Sequence, residues 1–324
     1  MKKAPFSTLN LEPIVALFLF LLVGACQTDK EYVGMTIPTD QPYLIVLGVA
    51  QDAGYPQAGQ QEEWKLIKEG KARKTYAVSL GLIDPLNNQR WLFEATPDFK
   101  EQLQLMDQVS STDNYPYDGI FLTHAHMGHY TGLMHMGREA MGTQKTPVYA
   151  MPKMHEYLST NGPWSQLVSL GNIDLKSITN QEPTTIGSFK VTPYQVPHRD
   201  EFSETVGFKV ESNGKSILFI PDIDKWEKWD LDILDMIRSV DAALLDASFF
   251  KNGEIPGRDM SEIPHPFVEE SMKLFENLST EDKAKVHFIH FNHTNPLLFS
   301  NSPEHQSVLD AGYKVAREGQ VFTF

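Results

Sequence analysis

The segment THAHMGHYTG, residues 123–132, sets His124, His126 and His129 close together. Residues two apart in an extended segment point the same way, so His124 and His126 can converge on one point, while His129 can enter from a first helical turn. Neutral imidazole is the commonest protein ligand for metals, and zinc suits nitrogen-rich sites. Further ligand-type residues stand where apolar runs end: His198 in QVPHRDE, Asp222 in LFIPDIDK and His293 in FIHFNHTNP. Each alone reads as a packed histidine or a turn aspartate; their shared placement at strand ends favours a metal centre. Zinc lowers the pKa of a bound water towards neutrality and polarises a carbonyl or phosphoryl oxygen, so such a centre would deliver hydroxide to a small ester, lactone, amide or phosphodiester.

Other polar residues have weaker claims. Glu94 and Asp98, around the ATPDF stretch, stand near the end of an apolar run and could orient the ligands from behind, although capping of the following helix accounts equally well for Asp98. Asp246 in LLDASF is either a supporting carboxylate or a turn former. His265, between two prolines, reads first as a rigid loop residue and second as a pocket wall. His287 and His290 alternate along one apolar run, so at least one faces the core. Arg199, beside His198, could meet a substrate anion or a neighbouring carboxylate.

These residues need strands that end together. YLIVLGV (43–49), TYAVSLGLI (75–83), RWLFEA (90–95), GIFL (119–122) and TPVYAM (146–151) are rich in branched and aromatic residues and bounded by turn formers, which predicts strands. PDFKEQLQLMDQV (97–109) and HYTGLMHMGREAM (129–141) carry apolar residues at helical spacing. The second half is patterned alike, with FKVTPYQV, then a hairpin across Asn213-Gly214, then AALLDASF, the helical PFVEESMKLFENL and KVHFIHF. Two strand-rich halves with interspersed helices predict an α/β fold, two mixed sheets packed face to face with helices outside.

The chain has 324 residues, with 41% apolar and 22% charged, ordinary for a globular protein. Its formal charge of −14 opposes binding to a phosphate backbone, and no basic run offsets it, so a small molecule is expected rather than nucleic acid. Lys2 and Lys3 precede the short apolar run Ile14–Val23, which reads as an export signal. The run ends in Val23-Gly24-Ala25-Cys26, which resembles a bacterial lipobox, and Cys26 is the only cysteine. The expected organisation is a signal peptide over 1–25, a tether over 26–42 lipidated at Cys26, and one domain over 43–324, anchored in the bacterial cell envelope on the periplasmic or outer-membrane face. A single cysteine also excludes an intrachain disulfide and a thiolate zinc site.

The pattern from His124 to His129, with His, Asp and His downstream, resembles the metallo-β-lactamase-fold superfamily and its H-x-H-x-D-H motif. The stretches LGVAQDAGYPQ, ATPDF, LTHAHMGHYTGL and FNHTNPLL look most like the pyrroloquinoline-quinone biosynthesis protein B group. The resemblance implies an αββα sandwich, with one zinc on His124, His126 and His198, Asp222 bridging, and a second zinc on His129 and His293. Three departures stand out. The motif's aspartate is Gly128 here, which leaves the second ion short of a ligand, leaves Asp222 as the best acceptor for the water's proton, and predicts that Gly128→Asp would strengthen that ion. The protein B group typically has aspartates where His124 and His126 stand, and often a cysteine-rich stretch where this chain reads AGQQEEW. The primary expectation is therefore a membrane-tethered zinc hydrolase. The alternatives are a cofactor-biosynthesis enzyme like the protein B group, with iron doing oxidative chemistry, and a non-catalytic binding lipoprotein with a degenerate site. Export argues against the first alternative, since it separates the protein from a cytosolic pathway.

Overall fold

Branched and aromatic residues in short runs, punctuated by turns, build two sheets whose apolar faces bury one another. The computed structural model describes residue 1 and residues 37–324, so the expected signal segment, Cys26 and most of the expected tether lie outside the described residues. The strands of the first sheet are β1 (Tyr43–Gly48), β2 (Ser79–Asp84), β3 (Gln89–Phe93), β4 (Gly119–Phe121), β5 (Thr146–Ala150) and β6 (Ile173–Ser177). The second comprises β7 (Thr184–Ile186), β8 (Phe189–Val196), β9 (Thr205–Ser212), β10 (Lys215–Ile220), β11 (Ala242–Asp246), β12 (Val286–Ile289) and β13 (Lys314–Val315). The last strand, β14 (Val321–Thr323), returns to the first sheet beside β1.

Both sheets are seven-stranded and mixed, in the orders β14-β1-β2-β3-β4-β5-β6 and β13-β12-β11-β10-β9-β8-β7. Each has an antiparallel part made of hairpins, such as β2 with β3 and β9 with β10 across Asn213-Gly214, and a parallel part, β3 to β6 and β10 to β13. Asn213 and Gly214 both have positive φ, 50° and 80°, as a tight hairpin turn requires. In the parallel parts, the carboxyl ends of neighbouring strands lie at one edge, where loops can gather a ligand site.

The sheets meet through aromatic rings. Phe93 of β3 stacks on Phe121 of β4 with centroids 5.2 Å apart, and meets Phe208 of β9 at 5.2 Å and Phe219 of β10 at 6.2 Å. Outside the sheets lie α1 (Gln61–Lys68), α2 (Phe99–Gln108) and a short turn of helix, α3 (Met127–Tyr130). The spacing predicts a helix over 129–141, but the chain makes only α3 followed by a 3-10 stretch to Met136. Gly132 explains the difference: its N–H donates to Ala95 O at 2.8 Å, and a Cβ there would lie 2.3 Å from Thr96 O. That segment is pressed against the backbone following β3, so the contact overrides helical periodicity.

Phe93 is fully buried, so Phe93→Ala is expected to lower stability by about 3–5 kcal/mol through lost burial and the cavity left behind. The exposed Leu86→Ala is expected to change it by less than about 0.5 kcal/mol. Urea denaturation midpoints of the two variants check this.

Candidate metal centre

Strand ends deliver the polar residues to one place. Beyond β4 the chain supplies His124, His126 and, in α3, His129; beyond β8 comes His198; beyond β10, Asp222; at the end of β11, Asp246; and beyond β12, His290. His124, His126, His198 and Asp222 offer donor atoms that all lie within 4.8 Å of one another. Asp222, Asp246, His265 and His290 form a second such group, and Asp52, His129 and His290 a third. Asp222 is central: its carboxylate lies 3.3 Å from His124 Nε2, 3.5 Å from His129 Nε2, 3.3 Å from His198 Nε2 and 3.2 Å from His265 Nδ1.

His293 stands elsewhere. Its Nδ1 lies 2.6 Å from Glu63 Oε1 of α1, and it belongs to none of the donor groups among the described residues. The backbone gives the reason for this correction to the sequence expectation: β12 ends at Ile289 and His290 takes a left-handed conformation, φ 70°, so His290 enters the centre. Its Nδ1 is 2.9 Å from Ser248 Oγ, while its buried Nε2 has no hydrogen-bond partner.

The supporting carboxylates divide. Glu94 is fully buried behind His129, with Oε1 3.6 Å from His129 Nδ1. Asp246 accepts hydrogen bonds from the Ile223 and Ser248 N–H groups at 3.1 and 2.9 Å, and lies 2.8 Å from His265 Nδ1. Asp98 points to neither the centre nor its own helix: it accepts from the Ala77 N–H at 2.9 Å and makes no side-chain cap bond to α2. His265, Asp52 and His290 join the ligand-type residues without a spacing signal in the sequence. For His265 the flanking prolines hinted at a fixed position; nothing local marked Asp52.

Charge within the cluster is unevenly placed. Burial holds His124 well below the ordinary imidazole range and lowers His198 to about 4, so both are neutral at pH 7. Burial opposes protonation of His129 too, but Asp222 and Glu94 outweigh it and raise that ring to about 10. His265 rises to about 8 against burial, through Asp246 and Asp222. Burial would raise Asp222, yet the imidazoles of His198, His265 and His290 hold it well below the usual carboxylate range.

A divalent metal fits this donor set. Both nitrogens of His129 and of His198, His290 Nε2, Asp222 Oδ1 and both oxygens of Glu94 are buried with no hydrogen-bond partner. His129, His198, His290 and Asp222 belong to the donor groups, where a divalent cation would supply the partner these atoms lack, whereas Glu94 stands behind His129 and outside those groups. The two mixed sheets and the His/Asp centre at their strand ends define a metallo-β-lactamase-fold protein.

Residues 89–291 match the Beta-lactamase superfamily domain, and the chain belongs to that family. It is 24% identical over 307 residues to "Coenzyme PQQ synthesis protein B" of Xanthomonas campestris pv. campestris (strain B100), covering 85% of this chain and 98% of that protein. Its fold is similar to that of Zn(2+)-bound PqqB from Methylobacterium extorquens, with TM-score 0.73 and 22% identity over 87% of this chain and 100% of that one. A diphosphatase from the PhnP family also shares the fold, with TM-score 0.61 and 21% identity over 88% and 97% of the two chains.

Because His129 holds a proton below about pH 10 in the metal-free protein, and a ligand imidazole must be neutral, metal uptake at pH 7 is expected to release about one proton from this ring. Affinity at that ligand should then rise with pH until about 10. Calorimetric titrations with Mn(II) in buffers of different ionisation enthalpy check the proton count.

Proposed function

We propose that the protein is a metal-dependent enzyme of the coenzyme PQQ synthesis protein B kind, which transforms a small anionic molecule beside the His/Asp centre. The observation carrying this reading is the similarity to "Coenzyme PQQ synthesis protein B", which extends over 98% of that relative. His124, His126, His198 and Asp222 would hold one ion, and His129 and His290 would contribute to a second. Zinc bound there supplies Lewis acidity, and iron supplies redox chemistry.

The surrounding residues define what could enter. A cavity of about 280 Å³ is lined by Asp52, Arg199, Phe249, Arg258, His265 and His293, among others, a size suited to a small molecule. Two guanidinium groups in its wall match a carboxylate or phosphate on the substrate. His265, fixed at Nδ1 by Asp246, presents its ring to the same cavity and can hold a proton for the reacting molecule at Nε2. Hydrolysis is the second reading. The grouping of three imidazoles with Asp222 favours it, since that donor set suits zinc.

Plasma emission on protein purified without chelators is expected to find a stoichiometric divalent metal that His126→Ala diminishes. Iron, with oxygen-dependent turnover and no hydrolysis, supports the coenzyme-synthesis reading. Zinc, with hydrolysis of an ester, lactone, cyclic nucleotide, phosphodiester or β-lactam that His126→Ala abolishes, replaces it with the hydrolase. A metal-loaded protein inert in every assay favours the binding lipoprotein.

We also propose that the chain is tethered in the cell envelope through a lipid on Cys26, so that its substrate is met outside the cytosol. Labelled palmitate is expected to enter the wild type, and Cys26→Ser is expected to lose the label and leave the membrane fraction.

A further inference from the structure

Gly128 stands where the family motif carries an aspartate, and the structure puts another residue in the space that aspartate would need. An ideal Cβ on Gly128 would lie 2.4 Å from Asp52 Cα, 2.6 Å from Asp52 Oδ1 and 3.0 Å from Asp52 O. No side chain fits at 128 while the loop after β1 holds its position. The loop brings a carboxylate of its own: Asp52 Oδ1 is 3.9 Å from His129 Nε2, and Asp52, His129 and His290 form one of the donor groups.

We propose that Asp52 is a ligand of the second metal, supplying from the loop after β1 the carboxylate that Gly128 lacks. The proposal rests on reading the centre as a metal site. Donors each about 2.0–2.2 Å from a tetrahedral ion stand about 3.3–3.6 Å apart, so the 3.9 Å between Asp52 and His129 is too long for a hydrogen bond and within a few tenths of an ångström of the spacing of two atoms that share an ion. Both nitrogens of His129 and Nε2 of His290 are buried with no hydrogen-bond partner, while the Asp52 side chain is 55% exposed and stands on the solvent side of that buried pair.

The loop is built to hold that position. Phe291 N–H donates to Val49 O and Gln51 N–H donates to Phe291 O, both at 2.8 Å, which ties the loop to the residue following His290. Gly54 N–H closes the turn onto Gln51 O at 3.1 Å. Asp52 itself has φ 44°, a left-handed conformation that aspartate and asparagine adopt more readily than most residues. With Asp222 shared, the second ion would have two imidazoles and two carboxylates, and Gly128 serves to clear room for the loop.

The test is Mn(II) binding by equilibrium dialysis with metal analysis, and electron paramagnetic resonance for spin coupling between paired ions. Wild type should bind two ions per chain with a coupled spectrum. Asp52→Asn, and Asp52→Gly, which suits the left-handed backbone, should keep one tight ion, weaken the second by about 100-fold or more and lose the coupling, since even supporting residues around a metal cost about 10–100-fold. Gly128→Asp, compared by circular dichroism for folding, should weaken the second ion or unfold the protein. Two ions held at unchanged affinity in both Asp52 variants, or a tighter second ion in Gly128→Asp, would overturn the proposal. His126→Ala separates the two levels: if it loses the first ion while the Asp52 variants are unaffected, only the role of Asp52 fails, and if it too leaves metal uptake unchanged, the metal-centre reading fails with it.

Discussion

One buried carboxylate governs this molecule. Asp222 is 3% exposed and lies within 3.5 Å of nitrogens from His124, His129, His198 and His265. A lone ionised carboxylate in such a place would be expelled or protonated; surrounded by imidazoles that hold its pKa well below the usual carboxylate range, it is stable as an anion. Its neighbours come from both sheets. His124 and His129 follow β4 of the first sheet, whereas His198, Asp246 and Asp222 follow or end strands of the second. The face-to-face packing of apolar rings therefore has a second role, because it sets the two sets of strand ends at the same level.

Three of the seven non-glycine residues with positive φ among the described residues stand in or beside the donor groups. Asp52, Glu94 and His290 are non-glycine residues with φ of 44°, 76° and 70°, and each lies in the segment that follows a strand. Left-handed conformations of this kind cost on the order of 1–3 kcal/mol each and persist only where other contacts hold them. Those contacts are visible. Glu94 N–H donates to Phe121 O, Ala95 N–H to His129 O, and the Asp52 loop is latched to Phe291. Of the three, His290 follows a parallel strand, β12, and its ring stands in the centre.

Much of this was legible in local sequence. The branched and aromatic runs marked most strands to within a few residues, and Asn213-Gly214 marked its hairpin, because strand and turn preferences act over neighbouring residues. The spacing of His124, His126 and His129 likewise carried its meaning locally, since the end of one strand and one helical turn suffice to place them. The helix expected over 129–141 failed where a distant backbone intervened, at Gly132 against Ala95 and Thr96. His293 was a natural choice by position after a strand, and His290 displaced it through a change of backbone handedness that no residue type at that point announces.

The sequence by itself thus determined the two-sheet architecture and the gathering of ligand-type residues beyond β4, because alternation, turn residues and closely spaced imidazoles express themselves within a few positions. Only the tertiary structure decided which histidine of FIHFNH enters the centre, that His265 backs onto Asp246, and that Asp52 occupies the space beside Gly128. These facts depend on contacts between segments far apart in the chain, where packing and the direction of a strained backbone, rather than local preference, set the outcome.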